Sequence, residues 1–162
     1  MTIVVIVGVL ATVAVYGVRK YILSAKKAEA TSMLTQIRAA EEAYRDETFN
    51  YLGSGTAFAW HPTASPGDFK SSWDPMSGTD MGKVFQVLGV RPDGPVIFAY
   101  SVVAGNAAST LPTIPTAKSF DFPDPTGPYY IAMAKADLNG DGKFTYALSH
   151  SDTSEIYVDD EF

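Results

Sequence analysis

The chain opens on a run, Met1 to Val18, that contains no charged side chain. It is built mainly of Ile, Val, Leu and Ala, with Gly8 and Gly17 as its smallest members. A helix needs roughly 20 apolar residues to cross a bilayer, with about 17 as the lower limit. The run therefore reaches spanning length. A cleaved secretory signal is expected to carry basic residues before its apolar core and a small-residue cleavage site after it. Here no basic residue precedes the run, and its far end continues without a break into Arg19-Lys20-Tyr21. The segment is expected to be retained.

Beyond Val18 the pattern stays helical but becomes one-sided. Ala30, Met33, Leu34, Ile37, Ala40 and Tyr44 recur at spacings of three and four, which places them on one face. Lys26, Lys27, Glu29, Arg38, Glu42 and Arg45 are assigned to the solvated side, with Glu41–Arg45 and Arg38–Glu42 as ion pairs one turn apart. No proline occurs from Met1 to Asn50. One continuous helix over 1–50 is expected, far longer than the ~11–12 residues of an average globular helix. Arg19, Lys20, Lys26 and Lys27 follow directly on the apolar run, where lipid headgroups are the expected counter-ions. The whole chain carries a net charge of −6, so a nucleic-acid partner is not expected.

The chain as a whole has the composition of one folded domain: 46% of its 162 residues are hydrophobic and 19% charged. The absence of cysteine rules out disulfides, thiolate metal sites and thiol nucleophiles. Gly53 to Gly82 is rich in Gly, Ser, Pro and Thr, but it also holds Phe58, Trp60, Phe69 and Trp73, so it is expected to be an ordered loop pinned to the domain. Thr79 to Leu88 fits a short helix ending at Gly89. Pro95–Ala104 alternates as a strand, Tyr129–Ala136 and Lys143–Ser149 are strands joined by the hairpin signal Asp137 to Gly142, and Glu155–Val158 fits an edge strand. A second loop, dense in Pro, Ser and Thr, runs from Asn106 to Thr126, and the tail Asp159-Asp160-Glu161-Phe162 is acidic. The expected fold is α+β: a protruding N-terminal helix whose second half packs on an antiparallel sheet of about four strands. This divides the chain into a membrane or filament-core segment, 1–24, and a globular head, 25–162. The head comprises an amphipathic helix over 25–50, the loop 53–82 and the sheet 95–158.

Enzymatic signatures are missing. There is no Gly-x-Ser-x-Gly, no Gly-rich phosphate loop ending in Lys-Ser/Thr and no His-Glu-x-x-His. The two histidines, His61 and His150, lie near loops or strand ends and are expected to be structural or merely exposed. Trp60 beside His61 fits either a ligand pocket or loop packing. One segment has site chemistry: Asp137-x-Asn139-x-Asp141-Gly142. Oxygen ligands at alternate positions before a glycine suit calcium, which takes 6–8 oxygens, with the carbonyl of Lys143 as the next donor. The twelfth position of such a loop is Leu148 and the flanks are strands, so it is not an EF-hand. Asp152 and Glu155 are candidates to complete the shell, though nothing in the sequence fixes either. The other reading is a polar hairpin turn with Asn139-Gly140 at its tip.

The first third of the chain resembles the type IV pilins. The run Met1-Thr-Ile-Val-Val-Ile-Val-Gly8-Val-Leu-Ala11 is similar to the apolar signature of that family, in which a glycine interrupts branched aliphatics. Tyr21-Ile22 with Ser24 to Ala30 resembles the stretch where the pilin helix leaves the membrane, and Tyr44 to Gly53 resembles the helix exit. The chain departs from the family in having no acid before Glu29, and in having Tyr16-Gly17 where the family carries a helix-breaking proline. Aligning Gly8 and Tyr21 with the family places the start of this sequence several residues inside the mature helix, without the leader and first mature residues. The resemblance implies a structural subunit that polymerises into an extracellular, cell-surface filament from an inner-membrane pool, with the help of an assembly machinery. It implies a filament core containing Ile3, Val4, Val7, Gly8, Leu10, Ala11, Val13, Tyr16 and Gly17, with helix melting around the two glycines. Within the family the alternatives are a minor pilin or a secretion pseudopilin. Outside it, the rival is a monomeric membrane-anchored binding or enzymatic domain.

Overall fold

The computed structural model describes residues 2–74, 78–107, 109–116, 120 and 122–159. Met1, parts of both long loops and the tail residues 160–162 lie outside the described residues. Helix α1 spans Thr2–Thr48 and α2 spans Asp80–Leu88. Strands β1 (Ala99–Gly105), β2 (Tyr129–Ala136), β3 (Thr145–His150) and β4 (Tyr157–Asp159) follow. They form one antiparallel sheet in the order β1-β2-β3-β4, with Tyr100 opposite Ala134 and Ala134 opposite Ala147. The expected α+β arrangement, a long helix whose second half lies on a four-stranded antiparallel sheet, is the observed one.

Why the helix and sheet fit is visible in β2, Tyr-Tyr-Ile-Ala-Met-Ala-Lys-Ala. Successive side chains of a strand point to opposite faces. Tyr130, Ala132, Ala134 and Ala136 therefore turn toward α1, where they join Ala30, Met33, Leu34 and Ile37 in the main core. The small alanines let the helix sit close to the sheet, and Tyr100, Val102, Phe85 and Met81 fill the flanks. Tyr129, Ile131 and Met133 face the other way and make a second core with Leu148, covered by Phe58, Trp60, Leu111, Ile114 and Phe122 from the two long loops. Both loops are thus pinned by aromatic and aliphatic anchors.

Local chemistry sets the ends of the elements. Thr79 caps α2, its Oγ1 accepting the Gly82 N–H at 3.1 Å, and Gly89 closes the helix at φ 69°. The first strand begins at Ala99, later than Pro95, because the Ile97 and Phe98 N–H groups donate to Glu29 Oε1 at 2.8 and 3.4 Å. The third begins at Thr145 because the Lys143 N–H is taken by Asp141 Oδ1 at 2.8 Å. The fourth is shorter than expected at its start, beginning at Tyr157. The helix α1 stops at Thr48, and Phe49 turns left-handed at φ 60°. The free edge of β1 is covered by the first loop: His61 and Tyr100 exchange backbone hydrogen bonds of 2.9 and 2.7 Å, and the Ser54 N–H donates to the Val102 carbonyl at 2.9 Å. An unpaired edge invites association with other chains, and here it is closed from within.

Several charged residues expected on the solvated side of α1 are instead anchors. Glu29 holds the backbone ahead of β1, with Lys70 Nζ at 3.9 Å from its other oxygen. Lys26 Nζ donates to the Leu138 carbonyl at 3.0 Å. Glu41, expected to pair with Arg45, is fully buried and accepts the Leu52 N–H at 2.9 Å. Arg45 pairs with Glu42 at 3.4 Å and donates to the Tyr51 hydroxyl at 3.0 Å. The reason is spacing: Glu41 lies four residues beyond Ile37, on the same stripe that meets the sheet.

Candidate functional site

From Ile3 to Ile22 every residue of helix α1 is exposed. Thirteen of the sixteen large hydrophobic side chains exposed in the described residues lie in this stretch. The expected core residues Ile3, Val4, Val7, Gly8, Leu10, Ala11, Val13, Tyr16 and Gly17 are all exposed on it. They share no single face but surround the helix, so the segment is apolar on all sides, and a 3.6-residue period leaves no polar stripe to meet water. Its mean hydropathy and length are sufficient to cross a membrane. Soluble proteins seldom leave so large a continuous apolar surface uncovered. This stretch is the surface that most needs a partner.

Neither glycine of the segment is there to permit an internal contact, since a side chain at Gly8 or Gly17 would meet nothing within 4 Å. Helical hydrogen bonding passes through both without a break in the isolated chain.

The second candidate, Asp137 to Lys143, is the β2–β3 connection. Asp137 is buried at 8% exposure, and its two carboxylate oxygens accept the Gly140 and Gly142 N–H groups at 2.7 and 2.9 Å. Asn139 Oδ1 accepts the Asp141 N–H at 3.2 Å, and its amide donates to Asp141 Oδ2 at 3.0 Å. The Lys143 N–H and the Asn139 amide hold the Asp141 carboxyl below its usual pKa. Gly140 and Gly142 have φ of 76° and 84°, conformations that the tight turn requires and that glycine adopts without penalty. Every candidate side-chain oxygen already accepts a hydrogen bond from within the turn.

Asp152 and Glu155 do not complete a shell. They lie beyond His150 and before Tyr157, at the end of β3 remote from the turn. With ~3.4 Å per residue, the length of β3 keeps them roughly 17 Å or more away. The carboxylate that does approach is Asp68, whose Oδ2 lies 3.8 Å from the position a side chain on Gly140 would take. No three His, Asp or Glu side chains converge as a metal group among the described residues. The residues fit a self-closed turn rather than a cation cage.

No family model, curated protein or solved structure matches the chain.

The remaining residues singled out in the sequence are parts of the packing. His61 is fully buried, with its ring edge-on to Trp73 at 4.5 Å and Nδ1 3.2 Å from Thr79 Oγ1, and burial lowers its pKa. Trp60, its neighbour, goes to the opposite face of the sheet, where it stacks with Phe58 and lies 4.3 Å beneath Lys135 Nζ. The pair therefore form no common pocket. His150 packs edge-on to Phe122 at 4.7 Å and accepts the Asp152 N–H at 3.2 Å. Glu41, Glu29 and Lys26 fasten α1 to the segments beside the sheet, roles that their residue types alone do not reveal. The signal available for Glu41 was its place on the apolar stripe.

Proposed function

We propose that the chain is the structural subunit of a type IV pilus-like filament, and that its work is polymerisation rather than catalysis. The observation that carries the proposal is the uncovered apolar half of α1, continuous with a second half that is fastened to a folded head. In a membrane this half lies among lipid tails, with Arg19 and Lys20 at headgroup level. Out of the membrane, the same surface has to be removed from water, at ~25 cal/mol for each Å² buried. Bundling with the same segment of other copies does this and places the heads on the outside. A major pilin, a minor pilin and a secretion pseudopilin share this chemistry. The resemblance of the Gly8 and Tyr21 regions to the pilins supports the family reading.

Electron microscopy of material sheared from cells producing the full chain tests this. Micrometre-scale fibres containing the chain are expected, and Val7→Asp subunits are expected to be absent from them, because an unpaired charge in an apolar bundle is strongly unfavourable. Dispersed membrane protein, with no fibre under any condition, would mean that the apolar half is only an anchor for a monomeric domain.

A further inference from the structure

The charges of this chain are unevenly placed. The first 27 residues hold four of the twelve cations and no acid, leaving eight cations against all 18 acids in the rest. On α1 the asymmetry has a definite geometry. Arg19 and Lys20 stand exposed at the end of the apolar half, and Asp46 and Glu47 stand exposed on the last turn. None of the four has a hydrogen bond or ion pair among the described residues, whereas Arg45 beside them is already engaged with Glu42 and Tyr51.

Arg19 and Asp46 are 27 residues apart, as are Lys20 and Glu47. At 3.6 residues per turn and 1.5 Å rise this is about 7.5 turns and about 40 Å. The half-turn matters. It places the acidic pair on the side of the helix opposite to the basic pair. Two parallel copies lying side by side face each other with opposite sides. A copy shifted by about 40 Å along the axis therefore presents Asp46 and Glu47 directly to Arg19 and Lys20 of its neighbour.

We infer that Arg19 and Lys20 of one α1 face Asp46 and Glu47 of an adjacent parallel copy, and that these two ion pairs set the register. The inference rests on the filament reading and specifies its contacts. In this register the apolar segment of one copy lies alongside Ser32, Ala39 and Ala43 of the next. These three are exposed and small, so the backbones approach closely while the apolar segment is covered. Opposite charges placed this way also select against other stagger positions, since like charges brought together are unfavourable. Arg19 and Lys20 then change partner on assembly, from lipid headgroups to a second copy of the chain.

The test uses the full chain and the fibres sheared from cells that make it. Because the chain has no cysteine, an Arg19→Cys/Asp46→Cys variant, with Lys20 and Glu47 left to hold the register, gives a clean readout. Oxidation is expected to join it into a ladder of covalent multimers, and Arg19→Cys/Thr35→Cys is expected to give none. In parallel, Arg19→Glu/Lys20→Glu and Asp46→Lys/Glu47→Lys should each reduce fibre yield by about tenfold or more, and the chain carrying all four changes should recover to within about twofold of the original. Wild-type fibres with no ladder and no recovery would overturn the register and leave the filament reading standing. If the unaltered chain forms no fibres at all, the filament reading falls and takes the register with it.

Discussion

Glu41 Oε2 accepts the Leu52 N–H at 2.9 Å from a position with no exposure to solvent, and its other oxygen is buried without a partner. This hydrogen bond joins those of Arg45 and Glu42 to the Tyr51 hydroxyl in fastening the end of α1 to the chain leaving it. Burial pushes the carboxyl up to about 8, partly offset by the Leu52 hydrogen bond. The folded state therefore holds a proton that the unfolded chain gives up near pH 4.5. Below about 4.5 both states are protonated and this carboxyl imposes no penalty. As pH rises toward 8 the unfolded state loses the proton first, and stability falls by an amount on the order of several kcal/mol. Thermal melting of the full chain in detergent is expected to show this loss between pH 5 and 8. Glu41→Gln should flatten that part of the profile and be the more stable protein at pH 8. An unchanged slope in the variant would assign the pH dependence elsewhere.

Gly53 lies against the edge of β1. A Cβ placed on it would stand 2.3 Å from the Ala104 backbone nitrogen and 2.9 Å from the Val103 carbonyl carbon. Neither atom belongs to a side chain that can swing away. Gly53→Ala is expected to destabilise the head by about 1–3 kcal/mol, read as a drop of several degrees in melting temperature. Gly127→Ala, where the added carbon meets nothing within 4 Å, is the control and should melt close to the unaltered protein.

The turn at Asp137 to Lys143 is closed by its own amides, so its stability should depend on the Asp137 carboxylate and not on a cation. Asp137→Ala leaves the Gly140 and Gly142 N–H groups without their acceptor, at an expected cost of about 2 kcal/mol. Melting curves in calcium and in chelator are expected to coincide. A rise of several degrees in calcium, abolished by Asp141→Asn, would instead establish the calcium loop, since a ligand at 100 times its dissociation constant stabilises by about 2.7 kcal/mol.

In the filament, α1 is expected to lose regular hydrogen bonding between Gly8 and Val18. That stretch contains two glycines and the β-branched Val9, Thr12, Val13 and Val15, all weaker helix formers than alanine in water. The isolated subunit is continuous there. A fibre map resolved well enough to trace the backbone checks this, and unbroken helix from Ile3 to Tyr44 would count against it.

The elements were legible in the sequence because they depend on neighbours along the chain. Eighteen uncharged residues, an uninterrupted stripe at helical spacing, alternation in Pro95–Ala104 and the Asn139-Gly140 turn each carry their signal within a few residues. Thr79 and Gly89 mark the ends of α2 for the same reason: a cap is made by its own helix. What only the tertiary structure decided is where polar groups go when two elements meet. Lys26, Glu29 and Glu41 have the same composition as a solvated face. Their roles follow from the backbone groups of Leu138, Ile97 and Leu52, which are distant in sequence or belong to an irregular segment. Trp60 and His61 show the same limit, since the pleat of the chain beside β1 sends adjacent rings to opposite faces. Asp152 and Glu155 show it again: a carboxylate near in sequence is carried off by the length of a strand, and Asp68, remote in sequence, is brought to the turn. Periodicity is a one-dimensional property and survives reading one residue at a time. A hydrogen bond across a fold is set by the docking of whole elements, which no local pattern encodes.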